Sequence, residues 1–143
     1  MITHATGGAA RFLGYDIRAQ HADDKLDRHG RRALNGAIGL FVPKEVISQH
    51  CARYQRRGKP AQRGARLHDD DFTIVAAYQA EYRGIVQYYL LAQDVYRLGR
   101  LGWVMETSLL KSLAGKHRST VTKMARTYKA TVETSHGSRR RIR

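Results

Sequence analysis

The sequence predicts a mainly α protein: a three-helix bundle, preceded by a short β-hairpin-like segment and one further helix. Three observations predict it. Apolar residues recur at spacings of three and four through the C-terminal half, from Val75 to Tyr128. Short stretches with alternating apolar residues lie before Pro43. A basic stretch punctuated by Gly58, Pro60 and Gly64 separates the two patterns. The chain has 143 residues and is 42% hydrophobic, which suits one domain with a real core and not a disordered chain.

The elements follow in order. Arg11 to Arg18 reads as one strand whose apolar side carries Leu13, Tyr15 and Ile17. Residues 19–32 are charged and read as a long exposed connection. Asn35 to Val42 reads as a second strand, with Ile38, Leu40 and Val42 alternating. Pro43 stops it, because proline cannot donate to a ladder, and opens a helix over 44–56 with Val46, Ile47, His50 and Tyr54 on one face. Asp69, Asp70 and Asp71 are candidate caps for a long helix to Gln93, whose inner stripe is Val75, Tyr78, Tyr82, Ile85 and Tyr89. A second bundle helix begins at Leu98 or Leu101, buries Leu109, Leu110 and Leu113, and stops at Gly115. Ser119 is the candidate cap of a third, with Val121, Met124, Ala125 and Tyr128 inward. Residues 134–143 read as a frayed basic tail.

Charge is the strongest functional signal. Lysine and arginine number 26 against 12 acids, a net charge of +14. A soluble small domain needs a net charge of only about 2–8, so the excess points to a polyanion. Nothing in the sequence approaches the ~20 consecutive apolar residues of a membrane span, and the basic residues are spread along the chain instead of beside an anchor, so no membrane partner is expected. The first ten residues carry no secretory pattern. A single cysteine, Cys51, excludes an internal disulfide and a cysteine metal cluster. The cytoplasm is the expected compartment.

Two basic groups are candidate phosphate contacts. Lys111 to Arg143 contains ten lysines or arginines and one acid, Glu133. On a helical wheel Lys116, Lys123 and Arg126 fall near one another, away from Met124 and Tyr128. The second group, Arg53, Arg56, Arg57, Lys59, Arg63 and Arg66, runs through the Gly- and Pro-containing stretch, where guanidinium forks suit phosphate. Either group could also be an ordinary solvated surface. The tyrosines at 78, 82, 88, 89 and 96 could stack bases, but at helical spacing they read first as core. His68-Asp69-Asp70-Asp71 could attract a cation; a helix cap explains the same residues.

Several segments resemble group II intron reverse transcriptase/maturases. Phe12-Leu13-Gly14-Tyr15 with Ile17 resembles the late palm motif of that family, and Asn35-Gly36 with Ile38, Leu40, Val42 and Pro43 resembles the strand and turn that follow. Gly58-Lys59-Pro60 is similar to the linker before the maturase domain. Tyr78-Gln79-Ala80-Glu81-Tyr82-Arg83-Gly84 with Tyr88-Tyr89 is similar to that domain's most recognisable stretch, and Trp103, Ser108-Leu109, Leu113-Ala114 and Lys116-His117 fit its second half.

The resemblance implies a remnant of the polymerase palm with its connecting helix over 1–56, a basic linker over 57–68, a maturase (thumb, domain X) bundle over 69–133 and a disordered basic tail over 134–143. It implies binding to structured group II intron RNA in support of splicing, and to RNA–DNA template–primer in a full polymerase. With charge, it nominates Arg53, Arg56, Arg57, Lys59, Arg63, Arg83, Lys111, Lys116, His117, Arg118, Lys123, Arg126 and Lys129 for RNA contact. The family's catalytic aspartates would precede residue 1. Ala22-Asp23-Asp24 imitates the end of their box but lacks flanking apolar strands, so no catalytic or metal-binding residue is expected, and Mg2+ only with a complete palm. A separate upstream reverse-transcriptase fragment, or decay to a non-specific nucleic-acid binder, are the alternatives. Strands without their sheet partners imply a poorly ordered N-terminal third.

Overall fold

The computed structural model describes residues 10–19, 38–134 and 137–142. Ala22-Asp23-Asp24 and Asn35-Gly36 lie outside the described residues, as do the side chains from Lys129 onward. The architecture is mainly α, as expected, with small antiparallel sheets at its edges.

The predicted strand over 11–18 is instead a hairpin, β1 (Ala10–Phe12) and β2 (Tyr15–Ala19). Leu13 and Gly14 form its turn with φ of 49° and 79°, the left-handed pair that suits the twist of a two-residue hairpin. Leucine is an unusual choice there, which is why the sequence hides the turn. β3 (Ile38–Phe41) pairs with the other side of β2, giving the order β1-β2-β3.

This sheet is not left without support, contrary to the expectation for a severed strand pair. Tyr15 is buried against the rings of Tyr88 and Tyr89, at centroid distances of 6.0 and 5.1 Å. The hydroxyls of Tyr88 and Tyr89 donate to the carbonyls of Leu13 and Gly14, and that of Tyr15 to the carbonyl of Tyr88. At the same end of the sheet, on its β3 side, the Asp94 carboxylate accepts from the buried Val42 N–H at 2.8 Å, and Gln93 N–H donates to Leu40 O at 2.9 Å.

Pro43 precedes α1 (Lys44–Ala52), which ends four residues earlier than periodicity suggests. The chain instead makes a second hairpin, β4 (Gln55–Arg56) and β5 (Lys59–Pro60), around Arg57 and Gly58 at φ of 53° and 74°. α2 (Asp71–Tyr88) is capped by Asp70, whose side chain accepts from Thr73 N–H. It stops short of Gln93 because residues 93 and 94 are drawn onto the end of β3.

α3 (Gly99–Lys116) is the central element, packed by α1, α2 and α4 (Val121–Tyr128). Leu101, Val104, Met105, Leu109, Leu110 and Leu113 are all buried, so apolar burial here supplies most of what holds the bundle. Gly115 does not stop this helix. Arg118 takes the left-handed position (φ 50°), with Ser119 N–H on Ala114 O and Arg118 N–H on Gly115 O, the double bond of a Schellman terminus. Thr120, not Ser119, caps α4, accepting from Lys123 N–H at 3.3 Å. The expected frayed tail is corrected too: β6 (Lys129–Thr134) pairs antiparallel with β7 (Gly137–Ile142).

Candidate nucleic-acid interface

The hairpin β4–β5 carries the densest exposed positive charge among the described residues. Arg53, Arg56, Arg57 and Lys59 are all exposed, and no described acid forms an ion pair with any of them. The register sets Arg56 opposite Lys59. Like charges facing one another across a ribbon repel, and an anion lying between them removes that cost. Arg53, Arg56 and Arg63 line one groove of about 410 Å³, floored by Tyr54, Gln55, Ala61, Gln62 and Gly64.

α3 fixes this hairpin in place. Ser108, Lys111 and Ser112 share one face of the helix, at the spacing i, i+3, i+4. Ser108 donates to Ala61 O at 2.7 Å, Lys111 Nζ to Pro60 O at 2.7 Å, and Ser112 Oγ accepts from Arg63 N–H at 3.0 Å. Tyr78 reaches across from α2 to Ser108 Oγ at 2.9 Å. Two buried serines on the otherwise apolar inner face of α3 are thereby satisfied, and their partners include the backbone of the basic segment.

Glu81 lies beneath the groove. It accepts the Tyr54 hydroxyl, and its carboxylate pairs with Arg63 (3.4 Å) and Arg66 (3.8 Å). Arg63 also lies over the Tyr54 ring at 5.1 Å. Burial pushes the Glu81 carboxyl above its ordinary range, and Arg53 pulls it partly back. Arg63 is therefore held by the protein, whereas Arg53, Arg56, Arg57 and Lys59 face outward.

The C-terminal basic group divides. Lys116, Lys123 and Arg126 do not share a helix: Lys116 ends α3, and the other two are exposed on α4. Lys116 Nζ donates to Asp71 Oδ1 at 2.8 Å and to Asp69 O at 2.5 Å; His117 Nε2 lies 2.7 Å from Asp71 Oδ2. Tyr128 adds its hydroxyl to the same carboxylate. Lys111, Lys116 and His117 thus direct their polar atoms into the protein. The wheel could not reveal this, because Asp71 arrives from forty-five residues earlier in the chain. Arg118, Lys123 and Arg126 remain exposed, and Arg83 is exposed on α2 away from the groove lining. The Lys129 side chain lies outside the described residues.

Two of the three non-glycine residues with positive φ among the described residues are Arg57 and Arg118. A side chain there costs on the order of 1 kcal/mol or more, where glycine would not. Both positions instead present an exposed guanidinium.

Residues 38–136 match the family model of the type II intron maturase. The chain belongs to that family. It is 34% identical over 140 residues to the group II intron-encoded protein LtrA of Lactococcus lactis subsp. cremoris, covering 90% of this chain and 23% of that protein. It is 31% identical over 134 residues to a putative COX1/OXI3 intron 1 protein of Saccharomyces cerevisiae, covering 82% of this chain and 16% of the relative. With Maturase K of Adiantum capillus-veneris it shares 29% identity over 119 residues, covering 77% of this chain and 24% of that protein. This maturase chain therefore spans about a quarter or less of the length of these relatives.

Asp71 joins the start of α2 to the end of α3 and to α4, and so sets where the α4 cations of this maturase stand. Burial alone would raise its pKa, but hydrogen bonds from Lys116, Tyr128 and His117 outweigh it and lower the group from 3.8 to about 2. A depressed carboxylate stabilises the fold above its unfolded pKa and loses that contribution as pH falls through the folded value. The shift corresponds to about 1–2 kcal/mol after solvent screening at this partly open site. Asp71→Asn is therefore expected to lower urea-unfolding stability by about that much at pH 7, with the gap to wild type closing below about pH 4. A gap that stays constant down to pH 3 would place the effect elsewhere than in the carboxylate charge.

Proposed function

We propose that this maturase domain binds structured RNA, group II intron RNA above all, through β4–β5 and the flanking cations of the α3–α4 corner, and thereby supports intron splicing. The observation that carries the reading is the outward-facing set Arg53, Arg56, Arg57 and Lys59, with Arg56 and Lys59 opposed on a hairpin that α3 holds rigid. Ordered cations on a fixed ribbon match a phosphate backbone of fixed geometry better than a flexible basic loop does. The test is a salt-titrated binding series with a group II intron RNA and an unrelated structured RNA of equal length. Preference for the intron that persists at high salt is the expected result. Equal binding that collapses with salt would leave only the non-specific electrostatic contribution, as in a decayed nucleic-acid binder.

A second reading rests on a separate observation. Phe12 and Leu13 at the β1–β2 turn, and Ile38 at the opposite corner of the sheet, are exposed apolar side chains suited to cover by another polypeptide. It supposes that a separate palm, carrying the aspartates and Mg2+, completes an RNA-directed DNA polymerase whose template–primer lies against this domain. Primer extension by this chain mixed with a family fingers–palm fragment tests it; no extension above the fragment alone removes it.

A further inference from the structure

A second basic cleft shares no lining residue with the β4–β5 groove, and of its residues the sequence singled out only Tyr96, as one of five tyrosines that could stack bases. Lys44 and Ser48 of α1, with Tyr96 and Arg97 of the short helical turn Val95–Leu98 and Arg100 of α3, surround a space of about 470 Å³ over Ile47. We infer that this cleft takes one unpaired nucleotide of the bound RNA, its phosphate among Lys44, Arg97 and Arg100 and its base stacked on Tyr96. The inference rests on the RNA-binding reading above and adds a second contact to it.

The composition of the cleft argues for a nucleotide and not merely for charge. Arg97 is oriented from behind: its Nη1 donates to Asp94 Oδ2 at 3.0 Å, while Asp94 Oδ1 holds Val42 N–H. Asp94 is buried, so the guanidinium is anchored at one edge and its remaining N–H groups are available. Lys44 and Arg100 are exposed, with no ion pair to any described acid. The Ser48 hydroxyl adds a neutral donor. Tyr96 is 78% exposed, the most open tyrosine of the described residues, although it sits in a short helical turn between two buried residues, Asp94 and Leu98. An aromatic face left in water beside three cations is the pairing that single-stranded nucleic-acid sites use: cations for the backbone, a ring for the base. Continuous duplex offers no free base to Tyr96, so the cleft discriminates between paired and unpaired RNA.

The experiment compares the full chain, Tyr96→Ala, Tyr96→Phe and Arg100→Gln on two blunt-ended RNA duplexes of similar length, one fully paired and one with a three-nucleotide bulge. Tyr96 is exposed, so its replacement leaves the core intact, and circular dichroism and urea melts verify that. Tyr96→Ala is expected to weaken bulged-RNA binding about 5- to 150-fold, with paired-RNA binding within about two-fold of wild type and the salt slope unchanged. Tyr96→Phe is expected to restore wild-type binding. Arg100→Gln is expected to reduce the salt slope by about one, on the bulged RNA alone. Equal loss on both RNAs, or loss on neither, overturns the inference and leaves the β4–β5 reading standing. If the wild-type chain binds neither RNA, both fall together.

Discussion

Replacing Arg56 and Lys59 by glutamine and Arg57 by glycine is expected to weaken RNA binding about 100-fold at about 0.15 M salt, with no loss of fold stability. Each phosphate contact on a duplex contributes about 0.9 to the slope of log affinity against log salt. Three lost contacts reduce the slope by about three, and the affinity difference shrinks as salt approaches about 1 M. Stability is expected to hold or rise slightly, because the variant removes the Arg56–Lys59 repulsion and gives the left-handed position to glycine. Fluorescence anisotropy across a salt series, alongside urea melts, reads both quantities. Affinity within two-fold of wild type at low salt would sink the hairpin as the contact surface. A parallel fall in stability would mean that the hairpin cations serve the fold.

The opposite signs of these two effects are the physical content of the reading. A surface selected only for folding would pair Arg56 with an acid and place glycine at residue 57. Instead the hairpin concentrates charge, while Ser108, Lys111 and Ser112 expend buried hydrogen bonds on holding it still. Rigidity matters because a pre-ordered set of cations loses less conformational entropy on binding than a flexible loop.

What could be read from the sequence follows from how local each determinant is. α2, α3 and α4 were legible because a buried stripe repeats every three or four residues, and Asp70 because a cap acts within its own turn. The family was legible because its motifs occur in order along the chain. The Leu13-Gly14 turn was not, since a leucine at positive φ gives no turn signal; its conformation is held by the hydroxyls of Tyr88 and Tyr89, some seventy-five residues away. The β4–β5 hairpin hid behind charge, because its two short strands carry no apolar alternation. Side-chain commitment was the least legible. Lys116 and Lys123 look alike in sequence, and only the fold brings Asp71 to one of them. The Tyr96 cleft is assembled from α1 and the turn that leads into α3, some fifty residues apart, and no local pattern anticipates it. Only Tyr96 hinted at it, as one of the tyrosines that could stack a base.

Tyr15→Ala is expected to cost about 3–5 kcal/mol, the range for deleting a large buried aromatic side chain, and to act mainly on the small sheet. Tyr15 is the one buried side chain of β1 and β2, and it sits between two tyrosines whose hydroxyls clasp the hairpin turn. Removing the ring opens the contact and leaves Tyr88 and Tyr89 without their packing partner. Hydrogen exchange is expected to show lost protection at 15–19 and 38–41, while 101–114 at the centre of the bundle stays protected. Leu101→Ala is the contrasting case: that residue is fully buried between helices, so its loss should lower protection across α1, α2 and α3 together. If Tyr15→Ala instead lowers protection uniformly, the sheet and the bundle are one cooperative unit, and the three-stranded sheet is as much part of the maturase fold as α3. If the sheet amides of the wild-type chain show no protection at all, the tyrosine clasp does not hold them in solution. The sheet would then need a further polypeptide, which is the condition under which the exposed Phe12, Leu13 and Ile38 would find their cover.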